Sequence, residues 1–249
     1  GLIVHDAVRE VIATSLRTPD PTAYRDYRRA AWRQLRTELR SAGMSELWRY
    51  TADMLYILEN PAVREAFFPS GGHEFAVEPA RPEDDSAVRS IIEQGEGPEA
   101  AGVLKKWWTR APQLFHAVRD SEGKLAGLAC MFDPTSVNPA FLTDDPVVKR
   151  FCDHLRSNPL PKNQRVLFVR RWLSLGLGEA PSPVQAVCWL EIKRDYMALR
   201  PYLRRVYGTV CDLQTFGPAF LKLGFRPLEG DLVKMDGVTY HTAVLDMGR

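Results

Sequence analysis

The chain has little cysteine, and none of it is arranged to bind metal. Cys130, Cys152, Cys188 and Cys211 are spread through 249 residues with no Cys-x-x-Cys pair, so neither a zinc site nor a redox dithiol is expected. Apolar neighbours, as in Ala129-Cys130-Met131 and Val187-Cys188-Trp189, point to buried reduced thiols and a cytoplasmic setting. No apolar run approaches the ~20 residues that span a bilayer, and no secretory leader opens the sequence. Charge of one sign is not in excess. Lys and Arg number 33 against 31 Asp and Glu, a net +2, too little to direct the chain to nucleic acid or a membrane surface. No Gly-x-x-x-x-Gly-Lys-Ser/Thr phosphate loop occurs, which excludes a P-loop ATPase within these residues. There is no initiator Met; Gly1 runs straight into Leu-Ile-Val, as expected of a fragment of a longer protein.

What is present is ordinary for a folded domain. The chain is 45% hydrophobic and 26% charged, enough to bury a core, in one large domain or two small ones. Residues 1–72 read as helical. Asp20-Pro21 is an N-cap followed by Pro at the first helical position. Tyr24, Tyr27, Ala31, Leu35 and Leu39 then recur at helical spacing up to Gly43. The other face carries Arg25, Arg28, Arg29, Arg33, Arg36 and Arg40, with Asp26 and Glu38 among them, the pattern of a solvated face. Ser45 opens a second helix, which Asn60-Pro61 ends.

Pro69-Ser-Gly-Gly72 is a breaker cluster and the expected domain boundary, giving domains 1–72 and 73–249. Beyond it strands and helices alternate. A short strand at Phe75–Val77 precedes two helices, 81–92 and 99–110, the second holding Trp107-Trp108, of which one is expected in the core and the other exposed. Strands at 114–119 and 125–132 flank the turn Asp120–Gly123. An insert at 133–163, with a helix near 146–156, is expected to shape a pocket, act as a lid or dock a partner. A strand at 165–173, a long helix at 184–199, a strand at 203–211, a helix at 214–223 and a hairpin around Asp236-Gly237 complete the chain. Strand, long helix, strand implies a parallel pair inside a mixed sheet, an α/β (α+β) fold.

This order, with Leu223-Gly224-Phe225 closing the helix at 214–223, resembles the GNAT (Gcn5-related N-acetyltransferase) fold over residues 73–247. The resemblance implies a cleft for acetyl-CoA or CoA in a splay between the two parallel strands. The pyrophosphate would sit on amides at the start of the following helix. The corresponding region here is Arg170-Arg171-Trp-Leu-Ser-Leu-Gly176-Leu-Gly178-Glu-Ala-Pro181-Ser-Pro183. Arg170, Arg171, Gly176 and Gly178 are the implied cofactor contacts. The segment departs from the family's Gln/Arg-x-x-Gly-x-Gly/Ala pattern. Pro181 and Pro183 lack N–H donors, Glu179 adds negative charge, and strand alternation is expected to put Arg170 and Arg171 on opposite faces.

The resemblance also implies a Tyr acid four residues before Gly224, where this chain has Phe220. The strand Val166–Leu173 carries no acid. Glu191, His116 and Tyr207 are therefore the candidate catalytic groups, with Asp133 and Tyr196 behind them. Each also has a plain structural role: Glu191 as a helix-surface ion-pair partner, His116 as a satisfied buried imidazole, Tyr207 as packing.

Leu2-Ile-Val-His5-Asp6-Ala-Val-Arg9-Glu10 resembles the tail of STAND-type signalling ATPases, so an ATPase is expected upstream as a partner within one protein. Leu190–Pro201 looks like GNAT-like modules of large regulators that lie between an ATPase and a DNA-binding domain. Two readings result. The domain is a degenerate acetyltransferase-like module that senses a ligand, acyl-CoA or an amine, for signalling or transcription regulation; or it is an active N-acetyltransferase. A protein-interaction module using the insert is a third.

Overall fold

The computed structural model describes residues 6–43, 46–57, 66–67, 75–230 and 232–248. The chain divides into two units, Gly1–Glu59 and Asn60–Arg249. The expected helix start at Ser45, the Asn60-Pro61 stop, the Pro69–Gly72 breaker and the segment Leu2–His5 lie outside the described residues.

The first unit holds α1 (Asp6–Arg17), α2 (Pro21–Leu39) and α3 (Leu47–Tyr56). Asp20 caps α2, its carboxylate accepting from the amides of Thr22 at 3.1 Å and Ala23 at 2.9 Å. No residue of α2 is buried. The expected apolar stripe is displaced: Tyr27 is 64% exposed, while Tyr24, Trp32, Leu35 and Leu39 are half-buried. The indole of Trp32, one position past Ala31, is the larger apolar group and sets the face.

In the second unit the strands are β1 (Ala76–Pro79), β2 (Phe115–Arg119), β3 (Leu125–Phe132), β4 (Arg165–Ser174), β5 (Leu203–Val210), β6 (Arg226–Pro227), β7 (Val233–Met235) and β8 (Val238–Asp246). They form one mixed sheet in the order β1-β2-β3-β4-β5-β8-β6, with β7 on β8. Only β4 and β5 pair in parallel; the other pairs are antiparallel. The helices are α4 (Asp85–Gly95), α5 (Pro98–Arg110), α6 (Pro139–Thr143), α7 (Pro146–Ser157), α8 (Pro183–Ala198) and α9 (Leu213–Lys222). This is the order the resemblance implies, with the two-residue β6 and the short α6 added.

β4 divides the core. Phe168 faces α7, its ring 5.2 Å from Phe151. Trp172 faces α8, 5.6 Å from Trp189. The α4, α5 and α7 side is one apolar cluster that includes Ile91, Leu104, Trp107, Trp108 and Phe151. Both tryptophans are buried, against the expectation that one is exposed. Each indole N–H reaches a carboxylate: Trp107 donates to Asp145 at 2.8 Å and Trp108 to Asp85 at 2.7 Å. With its polar atom satisfied, an indole buries as a hydrocarbon does. The insert is likewise core: α7 buries Val147, Val148 and Phe151. The Leu223-Gly224-Phe225 stop forms a Schellman motif. Phe225 N donates to Phe220 O and Gly224 N to Leu221 O, with Gly224 at φ +91°. Among the described residues no helix is long and apolar enough to cross a membrane, and the four cysteines are free thiols.

Helix α8 lies directly on β3. A Cβ at Gly127 would fall 2.3 Å from the Val184 side chain and 2.6 Å from the Leu173 carbonyl oxygen. The backbone contact cannot yield as a side chain can. Gly127→Ala should therefore destabilise the domain by about 1–3 kcal/mol, read as a lower urea midpoint at unchanged slope.

Candidate functional site

Pairing between β4 and β5 runs from Arg165↔Leu203 to Val169↔Gly208 and then stops, although both strands continue. The cause lies in β4. Its register with β3 slips between Cys130↔Arg171 and Met131↔Val169, so Arg170 is an extra residue with no partner. A bulge bends the strand and resets its alternation. Arg170 and Arg171 consequently lie on the same face, not on opposite faces as simple alternation implies. Their guanidinium carbons are 5.7 Å and 5.5 Å from the ring centre of Tyr240.

Two like charges on one buried face need counter-ions. Arg170 is fully buried and donates through Nε to Asp145, itself fully buried, at 2.5 Å. Burial opposes the Arg170 charge, and the attraction of Asp145 outweighs it, holding the guanidinium above its ordinary pKa. Asp145 also caps α7 through the amides of Val147 and Val148 and accepts from Trp107. Arg171 bridges Glu96 and Glu179, and Tyr240 donates its hydroxyl to Glu96. Glu96 lies in the Gly95-Glu96-Gly97 link between α4 and α5. Gly95 makes this possible: a Cβ there would meet Leu173 of β4 at 2.8 Å, so the helix end sits on the strand.

The turn after β4 is partly bonded within itself. Gly176 and Gly178 have φ of +73° and +57°, and Ser174 and Gly178 exchange both backbone hydrogen bonds, at 2.7 and 2.9 Å. Ala180 N donates to Leu177 O, and Ala186 N to Ser182 O. The Ser182 hydroxyl caps α8 by accepting from Gln185 N at 3.0 Å. Glu179 turns inward, and its carboxylate accepts from the amides of Cys211 and Asp212. These amides immediately precede α9, whose own first turn is capped by the Asp212 side chain accepting from Thr215 N at 3.0 Å.

The α8 side is apolar. Trp172 meets Trp189 and Phe216 edge-on, while Trp189 and Phe216 are tilted to each other. Beside them a small apolar cavity of about 30 Å3 is lined by Val169, Gly208, Phe220, Phe225, Lys193 and Tyr196, among others. Phe67 also borders it, its ring 5.3 Å from Trp189. Phe220 packs 4.7 Å from Phe225, and a Cβ at Gly208 would lie 3.4 Å from the Phe220 ring. Burial pushes the Lys193 amine down to about 7.

The seven residues expected to carry the chemistry therefore separate into three places. Arg170 and Arg171 stand at the splay; Gly176 and Gly178 shape the turn beyond it. Tyr207 lies within the paired part of β5, its ring against Phe151 and Phe168 and its hydroxyl 3.0 Å from His154 Nδ1. Burial raises its pKa. His116 and Glu191 face each other at 3.5 Å, on β2 and α8, with β3 intervening between β2 and β4. Burial lowers the His116 pKa, against the attraction of Glu191, and Glu191 is ion-paired with Arg194. Asp133 caps a turn and pairs with Arg165 at 2.7 Å. Sequence reasoning missed Glu96, Asp145, Tyr240 and Lys193. A lone acid between two glycines, and a lysine on an apolar helix stripe, were the signals available.

Three solved structures similar to this chain are an N-acyl amino acid synthase, FeeM, from uncultured soil microbes, the C-terminal condensation domain of Ebony in complex with beta-alanyl-dopamine, and a GNAT-family acetyltransferase from Listeria monocytogenes. FeeM is 14% identical over 69% of this chain and 90% of its own, at a TM-score of 0.48. The Ebony domain is 18% identical over 70% and 99%, at 0.47. The Listeria protein is 14% identical over 70% and 97%, at 0.40. No protein-family model and no curated protein matches the chain. The fold is assigned here from its own strand order and register.

The Asp145–Arg170 pair ties α7 to β4 and is the most deeply buried charge pair of the site. Asp145→Ala should cost about 3–5 kcal/mol in chemical denaturation, because it strands a buried guanidinium. The double variant with Arg170→Met should cost less than the sum of the two single changes by about 1 kcal/mol or more. Additive losses would mean the pair is not a unit.

Proposed function

We propose that residues 73–249 form a GNAT-like module that binds the acyl-thioester end of acetyl-CoA in the cleft beyond Val169 and Gly208 and does not turn it over. The observation that carries this reading is Phe220. Its ring borders the cavity beside Gly208, where the resemblance calls for a tyrosine hydroxyl, and a phenyl ring has no proton to give a leaving thiolate. Glu96, one of the carboxylates at the splay, is engaged by Arg171 and Tyr240, which compete with an incoming amine for its oxygens.

The two ends of the cofactor fare differently against these residues. The apolar walls of the cavity suit an acyl group and the adjoining thioethyl arm. The turn at Leu175–Ser182 does not suit a diphosphate: Pro181 and Pro183 have no N–H, Gln185 N is taken by the Ser182 hydroxyl, and Glu179 brings a negative charge. Arg170, Arg171, Gly176 and Gly178 thus support the opening and its rim and are not read as phosphate ligands.

Binding without turnover suits a sensing role. The resemblance of Leu2–Glu10 to a STAND-type tail supports a regulatory domain of a larger signalling or transcription-regulating ATPase, with the ATPase upstream. The second reading, an active N-acetyltransferase, is favoured by one observation: Glu96 puts an acid at the open end of the parallel pair.

Calorimetry with acetyl-CoA should give saturable heat, and a thiol assay with polyamine, aminoglycoside and peptide acceptors should show no CoA release above background. Release by the unaltered protein would establish the enzyme reading instead. No heat at millimolar ligand would remove the thioester cleft altogether.

A further inference from the structure

Charge on the first unit is segregated along α2. Arg25, Arg29, Arg33, Arg36 and Arg40 stand at positions i, i+4, i+8, i+11 and i+15. On a helix of about 3.6 residues per turn they fall within about 80° of the circumference, in a row about 22 Å long. Every member of the row is exposed. Asp26 lies at its flank and meets Arg29 at 3.6 Å. Glu38 projects from the opposite side of the helix, where it accepts from Gln34 at 2.6 Å. Among the described residues, Arg29 is the one member of the row with a carboxylate partner. The net +2 of the whole chain does not describe this surface, because the balancing acids lie off the row.

A helix face that serves only solvation gains by placing opposite charges four residues apart. Here Arg25 and Arg29, Arg29 and Arg33, and Arg36 and Arg40 put like charges at that spacing, which weakens the helix. Arg25 and Arg33 each give Nε to a backbone carbonyl, of Pro21 and of Arg29, and these bonds use none of the outer guanidinium nitrogens.

The chemistry of the row selects among anionic partners. It is arginine throughout; the first lysine of the chain is Lys105. The planar guanidinium fork grips a phosphate through two parallel hydrogen bonds. A straight row of forks suits a partner whose charges recur evenly, as the phosphates of a duplex do, and a helix fits a major groove roughly 12 Å wide. Lying in a lipid surface needs a free apolar face, and Tyr24, Trp32, Leu35 and Leu39 of α2 are already half-buried.

We propose that the arginine row of α2 binds the phosphate backbone of double-stranded nucleic acid without sequence preference, since phosphate contacts carry no base information. The row lies in the first unit, and nothing in it depends on the thioester cleft.

The test is fluorescence anisotropy of a labelled DNA duplex of about 20 base pairs, titrated with the full chain at several salt concentrations. The logarithm of the binding constant should fall linearly with the logarithm of salt, at a slope of about −4 to −5, as when about five phosphates are neutralised. Arg33→Gln with Arg36→Gln, which keeps good helix formers, should make that slope shallower by about 2 and weaken binding about tenfold or more at low salt. Circular dichroism checks that the helix persists. Lys124→Gln with Lys162→Gln removes the same charge from exposed positions outside the row and should bind as the unaltered chain does. Equal losses in the two double variants, or no binding at about 50 mM salt, overturn the proposal. So does poly-L-glutamate displacing the labelled duplex as well as unlabelled DNA of equal charge, which would mark the row as a surface for an acidic protein.

Discussion

One extra residue in one strand organises the functional half of this fold. Arg170 has no partner on β3, and the bulge it makes does two things at once. It bends β4 away from β5, so that parallel pairing ends at Val169 and Gly208. It also turns two consecutive arginines to the same buried face. Opening a sheet and burying two positive charges both raise the free energy. The structure offsets them locally: Asp145 answers Arg170, and Glu96 and Glu179 answer Arg171. Each carboxylate arrives from a different element, so the compensation also ties the α4–α5 link, the cap of α7 and the turn after β4 to one strand.

The two faces of the opening have become different environments. On the α4, α5 and α7 face the charges neutralise one another, with the tyrosine of β8 drawn in through Glu96. On the α8 face lie stacked indoles and a cavity. Between them Glu179 sits on the Cys211 and Asp212 amides just before α9, not on the start of α8, where the resemblance puts the diphosphate. An internal anion there costs little, because Arg171 holds its other side. Its negative charge also opposes a phosphate placed nearby. Together with Phe220, it supports the proposed reading of a cleft that holds an acyl end without releasing a thiolate.

Local chemistry was legible in the sequence and long-range chemistry was not. The Gly224 stop, the Asp20 cap and the turn at Asp236-Gly237, with φ of +51° and +76°, follow from residues a few positions apart. The parallel pair followed from a strand, a long helix and a strand. The bulge could not be read, because Val166–Leu173 is apolar or basic throughout and every register looks alike. Strict alternation then misplaced one of the two arginines. Glu96 and Asp145 find their partners 75 and 25 positions away, and nothing nearby marks them. Trp107 and Trp108 both bury because carboxylates at 145 and 85 take their N–H groups. His116 and Glu191 were candidates for chemistry and instead face each other across β2 and α8, which only the packing of that helix on the sheet reveals.

The proposed cleft holds the acyl end of the thioester and grips the diphosphate weakly, because Pro181 and Pro183 lack N–H donors and Glu179 adds negative charge just before α8. The direct measurement compares the affinity of acetyl-CoA with that of S-acetylpantetheine, which lacks the phosphates and the nucleoside, by calorimetry in one buffer. The two dissociation constants should agree within about fivefold, roughly 1 kcal/mol. Acetyl-CoA binding tighter by about a hundredfold or more would show a working phosphate cradle and contradict that reading.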